Sequence, residues 1–222
     1  HIILRPMNHL FTEKLPSGTK ERVSSQRYFD SQIQIDPYLE CNYVFLDTEE
    51  RTFFAKNSHD YLIEQVTRHE FFNLNRHNVL DLKLQNPVKE LYWVIGRNDR
   101  YVKNQWFEYG DEDIRGGSDV LVSAKLSFNG LDRIEDKDGS YYGLIQPFQH
   151  HTVIPKNGVY VYAFSLYPEK FQPSGACNMS RINKVQLHMH VQETNTYDAV
   201  VYASSYNFLR ITSGLAGVAF SC

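Results

Sequence analysis

The chain has 222 residues, 42% hydrophobic and 22% charged, with 15 Tyr, 14 Phe and 2 Trp and a formal net charge of −3. A chain of this length and apolarity buries roughly 70–75% of its extended surface, which excludes disorder. Its longest apolar stretches, 158–166 and 213–220, fall short of the ~20 residues that cross a bilayer, and its 23 basic and 26 acidic residues are spread without long runs; membrane insertion and direct nucleic-acid binding are therefore not expected.

Residues 1–31 mix Pro6, Pro16 and Gly18 with polar residues and lack clean alternation. They are expected to be a connector or the end of a preceding domain, with one folded domain over 32–222. The chain starts at His1, and its opening combines no basic flank, apolar run and small-residue cleavage site, so it is expected to be the C-terminal piece of something longer.

Beyond residue 32 most of the sequence is short period-two stretches broken by Gly, Pro, Asn or Asp. That pattern predicts an all-β fold. Strands are expected over 39–46, 61–66, 79–84, 91–95, 119–128, 160–166, 184–192, 199–202 and 207–211. In 184–192, Val185, Leu187, Met189 and Val191 alternate with Gln186, His188, His190 and Gln192, so one face meets a core. The stretches 91–95, 160–166 and 199–202 are apolar on both faces and need cover on two sides. Eight or nine strands match an eight-stranded antiparallel jelly-roll sandwich with short helices in its connecting loops.

The best helix signal is Asp47 three residues before Glu50, a capping box that predicts two helical turns over 51–56. Two long excursions, 98–117 and 129–155, read as loops; the first carries Trp106, Phe107 and Tyr109 and is a candidate subunit-contact loop. The stretch 167–182 holds Pro168, Phe171, Gln172, Pro173, Ser174, Gly175, Asn178 and Arg181 between two strands. Two prolines, a glycine and small polar residues predict a rigid corner that buries Phe171 and uses Gln172, Asn178 and Arg181 to satisfy backbone groups.

Candidate chemistry is sparse. His188 and His190, two apart on a strand, point the same way and with Glu193 faintly resemble a cupin metal set. The spacing fails: only Val191 and Gln192 separate His190 from Glu193, and Ile182 stands where a cupin has Gly. Asp136-Lys137-Asp138-Gly139 looks like a calcium loop until Ile134 and Ile145 fall at its ligand positions, which leaves a solvated acidic turn. There is no GxSxG, and tandem His150-His151 has no evident acid partner. Gly214 and Gly217 lie in an apolar segment and suggest close strand packing. Cys41, Cys177 and Cys222 are an odd, widely spaced set that builds no disulfide framework, so a reducing compartment is the simpler reading, and the Asn178-Met179-Ser180 sequon would go unused there.

The corner, with Val159-Tyr160-Val161-Tyr162-Ala163-Phe164 before it, closely resembles the C-terminal jelly roll of the major capsid proteins of nucleocytoplasmic large DNA viruses. Similar pieces follow the same order: Tyr43-Val44-Phe45-Leu46-Asp47-Thr48-Glu49-Glu50-Arg51, Tyr61-Leu62-Ile63-Glu64-Gln65-Val66, Leu91-Tyr92-Trp93-Val94, and Tyr206 through Gly217. Ala176 and Met179 stand where a different small residue and Phe are expected. The resemblance implies two tandem jelly rolls per subunit, of which this chain has the second, homotrimeric pseudo-hexagonal capsomers, contacts with neighbouring capsomers and minor capsid proteins, and a place in a virion capsid assembled in the host cytoplasm. It implies a structural protein with no cofactor and no enzymatic activity. The other readings are a carbohydrate-binding jelly roll using Trp106, Phe107 and Tyr109, and a metal-dependent cupin using His188, His190 and Glu193.

Overall fold

The period-two runs become strands in the computed structural model, which describes residues 12–14, 20–22, 38–111 and 119–220. In chain order the elements are β1 (Thr12–Lys14), β2 (Lys20–Arg22), α1 (Thr48–Lys56), β3 (His59–Leu74), β4 (His77–Leu82), β5 (Pro87–Arg97), β6 (Leu121–Phe128), β7 (Leu131–Asp138), α2 (Gln146–His150), β8 (Val159–Ala163), β9 (Cys177–Asn178), β10 (Val185–Val191), β11 (Tyr197–Thr212) and β12 (Leu215–Val218). The described residues fall into two compact units, one drawn from 1–51 and 99–108, the other from 52–98 and 109–222.

In the smaller unit β1 and β2 form an antiparallel pair. The run 39–46, expected as a strand, forms none: Leu39, Tyr43, Val44 and Phe45 are exposed and the backbone is irregular. An apolar run becomes a strand only where a sheet edge takes up its amides and carbonyls. Helix α1 begins where Glu50 N donates to Asp47 Oδ1 (2.8 Å) and Asp47 N donates back to the Glu50 carboxylate (3.2 Å).

The larger unit is a sandwich. One sheet runs β4-β10-β6-β7; in the other, β11 lies between β3 on one side and β5 and β12 on the other, β5 continues to β8, and β9 joins the start of β5. Every pairing between these strands is antiparallel, and the eight strands β3 to β8, β10 and β11 distribute between the sheets as in a jelly roll. Along β10 burial alternates residue by residue, because Val185, Leu187, Met189 and Val191 face the core. In β5 and β11 most positions are buried on both faces: Val94 and Val200 lie outside the core cluster that holds Leu91, Trp93, Ile95, Ala199 and Val201.

Large aromatics fill the centre. Trp93, Tyr142 and Tyr160 are essentially inaccessible, with ring centroids 5.2 and 5.8 Å from Trp93. Tyr142 OH donates to Ala124 O (2.8 Å), while Tyr160 OH donates to Asp119 Oδ1 (2.5 Å) and accepts from Leu121 N (3.2 Å). Burial raises both phenol pKa values, and for Tyr160 the adjacent Asp119 carboxylate adds to the effect.

The excursion 129–155 is largely ordered structure instead of loop. Asn129 and Gly130, both at positive φ (51° and 84°), turn β6 into β7, and a π-helical turn (Tyr141–Ile145) leads into α2. The acidic stretch 136–138 is the end of β7; Gly139 follows because a Cβ there would lie 2.0 Å from Leu121 O. Gly214 and Gly217 also answer to a different cause from close packing. Ser213 and Gly214 (φ 52° and 77°) form the two-residue turn between β11 and β12, and a Cβ at either glycine would meet nothing within 4 Å.

Candidate functional site

The corner after β8 is built from backbone bonds and two ionic anchors. Leu166 N donates to Ser174 O (3.3 Å), Tyr167 N to Ser174 Oγ (2.8 Å) and Lys170 N to Tyr167 O (3.2 Å), closing a loop around buried Pro168. The Lys89 ammonium of β5, 4% exposed, donates to Pro168 O (2.8 Å) and lies 2.7 Å from a Glu64 carboxylate oxygen. On the other flank His150 Nδ1 is 3.0 Å from Leu166 O, and the Glu169 carboxylate accepts from Thr152 N (3.0 Å). His151 sits between two acids, its Nδ1 3.2 Å from Glu169 Oε1 and its Nε2 3.2 Å from Glu90 Oε2.

These contacts set the local charge. The Glu90 carboxylate raises the His151 pKa above the ordinary imidazole value against partial burial, and Glu169 adds to it. Burial alone would raise the Glu169 carboxyl, but the Thr152 donors and His151 outweigh it and hold it below the usual carboxylate range. Sequence reasoning left His151 without an acid partner because Glu90 and Glu169 reach it from separate parts of the chain.

Past the tip, Gly175 (φ 129°) returns the chain to β9, which pairs with Pro87 and Val88 of β5. Asn178 Oδ1 accepts from Ser180 N (3.2 Å) and starts a 3-10 turn (Met179–Arg181), while Ser180 Oγ accepts from Asn86 N (2.9 Å). The expected burial of Phe171 is reversed: it is 74% exposed, and Met179, fully inaccessible, is the apolar anchor. The loop is held by Ser174 and Lys89, so its tip needs no hydrophobic plug. Gln172, Pro173 and Arg181 are exposed.

The aromatic trio of the first excursion is divided. Trp106 lies 5.4 Å from the Tyr101 ring and Phe107 is 88% exposed, both in the smaller unit; Tyr109 is half-buried in the larger one. Residues 112–117, the end of that excursion, lie outside the described residues. Just before them Asp111, its side chain inaccessible, accepts from Tyr197 OH (2.5 Å) and Asn195 Nδ2 (2.7 Å) and lies 3.6 Å from Arg97. Burial and then the Asp111 hydrogen bond push the Tyr197 pKa up to about 12.

The histidines of β10 do not converge. His188 Nε2 is 3.0 Å from Ser127 Oγ, whereas His190 Nε2 accepts from Arg76 Nε (3.0 Å) and its ring lies 4.3 Å from that of His77. Glu193 is 3.9 Å from Arg76. No three His, Cys, Asp or Glu side chains among the described residues are placed to hold a metal ion. Burial raises the Cys177 thiol pKa, which disfavours the nucleophilic thiolate; Cys222 lies outside the described residues.

The family described as large eukaryotic DNA virus major capsid protein matches residues 50–217, a span that takes in the sandwich from β3 to all but the last residue of β12. A probable capsid protein 4 of Acanthamoeba polyphaga mimivirus is 35% identical over 84% of this chain and 39% of its own length. The major capsid protein of Phaeocystis pouchetii virus is 32% identical over 81% of this chain and 52% of its own. Among solved structures, the quasi-atomic model of the PBCV-1 virus capsid superposes with a TM-score of 0.68 at 29% identity, covering 81% of this chain and 56% of the other. The chain thus spans about two fifths to a little over half the length of the proteins it matches.

Proposed function

The chain belongs to the large eukaryotic DNA virus major capsid protein family, and from that premise we propose that it is a structural subunit of an icosahedral viral capsid. The observation that carries the proposal is the coincidence of the family match, 50–217, with a sandwich running from β3 to β12. In this reading 32–222 is the C-terminal jelly roll of a two-domain subunit, and 1–31 connects it to the first.

The work of such a subunit is mechanical. One continuous core, holding Trp93 and Tyr160 of one sheet with Leu126 and Leu187 of the other, joins both sheets, so shearing one against the other would disrupt its packing. Exposed Phe148 and Phe171 on the connections of the larger unit, and Phe107 in the smaller, supply apolar surface for contacts between subunits. Three subunits form a pseudo-hexagonal capsomer; neighbouring capsomers and minor capsid proteins are its further partners, and assembly takes place in the host cytoplasm.

The test is sedimentation of the complete capsid polypeptide that carries these residues. A trimer is expected at micromolar concentration, and a monodisperse monomer under those conditions would overturn the trimeric reading.

A further inference from the structure

We propose that His151 is a pH-sensitive latch that fastens the corner 167–174 to strand β5, closed while its imidazole is protonated and loosened when it is neutral. Each ring nitrogen of His151 faces a carboxylate oxygen at 3.2 Å, Glu169 on one side and Glu90 on the other. Neutral imidazole has one N–H and one lone pair, so it can turn an N–H to only one of them; imidazolium carries an N–H and its positive charge towards both. His151 Nε2 and the Glu90 oxygen it faces are both inaccessible to solvent, and their 3.2 Å approach is too bent for a hydrogen bond, so a protonated ring meets Glu90 as an ion pair while a neutral ring leaves both atoms without a partner and without water.

The surrounding charges leave this job to His151. From β5, Lys89 is engaged with Pro168 O and with Glu64 of β3. From the corner, Lys170 sits over the Tyr167 ring, 4.5 Å from its centroid. Tyr92 and Tyr206, which feel Glu90 from β5 and β11, have their phenol pKa values raised, chiefly by burial, and stay neutral. His150, the other histidine at this end of α2, is turned to Leu166 O. The remaining donors to Glu169 are Thr152 N and Oγ1, which do not titrate.

The sign follows from the direction of the His151 shift. A folded-state pKa above the ordinary imidazole value of about 6.5 means that the latch contributes fully below that value and is lost as pH rises through the folded one. The corner therefore tightens toward acid and loosens toward alkali, and with it the exposed Leu166, Tyr167 and Phe171 it carries.

The test uses the 222-residue chain in two measurements between about pH 5 and about pH 9. Ring NMR should give His151 a midpoint above the ordinary value, moved down in both Glu90→Gln and Glu169→Gln. Amide exchange, corrected for its intrinsic pH dependence, should show protection at Thr152, Leu166, Tyr167 and Lys170 falling several-fold across the same interval. In His151→Gln that fall should vanish. A His151 midpoint at or below the ordinary value, corner protection that ignores its titration, or an unchanged fall in His151→Gln would each overturn the latch; should His151→Gln not fold, the two glutamine variants decide it through the midpoint.

Discussion

Replacing Gly158 by alanine tests a close backbone approach in the sandwich. Gly158 is buried at φ 84° just before β8, and its carbonyl accepts from Ile95 N (3.1 Å) while Gly110 N donates to Ile95 O (2.9 Å). A Cβ at 158 would lie 2.4 Å from Gly110 N and 2.5 Å from Tyr109 C, both backbone atoms. Relief means moving residues 109 and 110 and weakening the Gly110 bond to β5. The left-handed backbone alone costs about 1–2 kcal/mol for an L residue, and displacing packed neighbours typically adds about 1–3 kcal/mol. Gly158→Ala should therefore lose about 2–5 kcal/mol. Gly214 is the internal control, since at φ 77° it carries the same conformational term with nothing within 4 Å of its Cβ position. Gly214→Ala should lose only about 1–2 kcal/mol. With a urea slope of about 2 kcal/mol per M, the midpoint should fall by about 1–2.5 M for Gly158→Ala and by 1 M or less for Gly214→Ala, at unchanged slope. Equal midpoints for the two variants would refute the argument from close approach.

Two further substitutions probe the core and the corner. Tyr160→Phe removes the hydroxyl that donates to Asp119 and accepts from Leu121 N, leaving a buried amide unpaired, and should cost about 1–3 kcal/mol in urea unfolding; no loss would mean that water replaces the hydroxyl. Replacing Pro173-Ser174-Gly175 by three alanines should also cost about 1–3 kcal/mol, through the lost Tyr167 N to Ser174 Oγ bond and the strained φ at Gly175. Unchanged thermal stability together with unchanged assembly would give the corner a different role.

The strands legible in the sequence are those whose two faces meet different surroundings. Strands β4 and β10 each send one row of side chains to the core, so burial writes a period of two into the residue order. Strand β7 lies at the sheet edge with no buried residue, and its Leu131-Asp132-Arg133-Ile134-Glu135-Asp136-Lys137-Asp138 carries no such period. The signal that marks it is Asn129-Gly130, the pair that most readily takes two successive positive φ angles. Pro147 in the first turn of α2 is a comparable mark for the helix hidden in the same excursion. The run 39–46 errs the other way, being apolar enough for a strand yet left without a ladder.

The corner separates what a local sequence can specify from what it cannot. Its rigidity is local: proline restricts φ, Gly175 takes a φ that other residues resist, and Ser174 accepts from an amide seven residues earlier. Phe171 was expected inside because apolar residues usually are, but that tendency places no particular residue, and nothing local requires a tip side chain to turn inward. The anchors Lys89 and Glu90 are adjacent in β5, and His151 follows α2; they reach the corner because β8 pairs with β5 and so carries the chain after Ala163 to that edge of the sheet. Without His151 the Glu90 carboxylate, its side chain only 12% exposed, would be desolvated at a cost. The ionic cluster is thus a consequence of strand order, and strand order is set by which apolar rows share the core, so the corner's chemistry becomes visible only after the sandwich has been assembled.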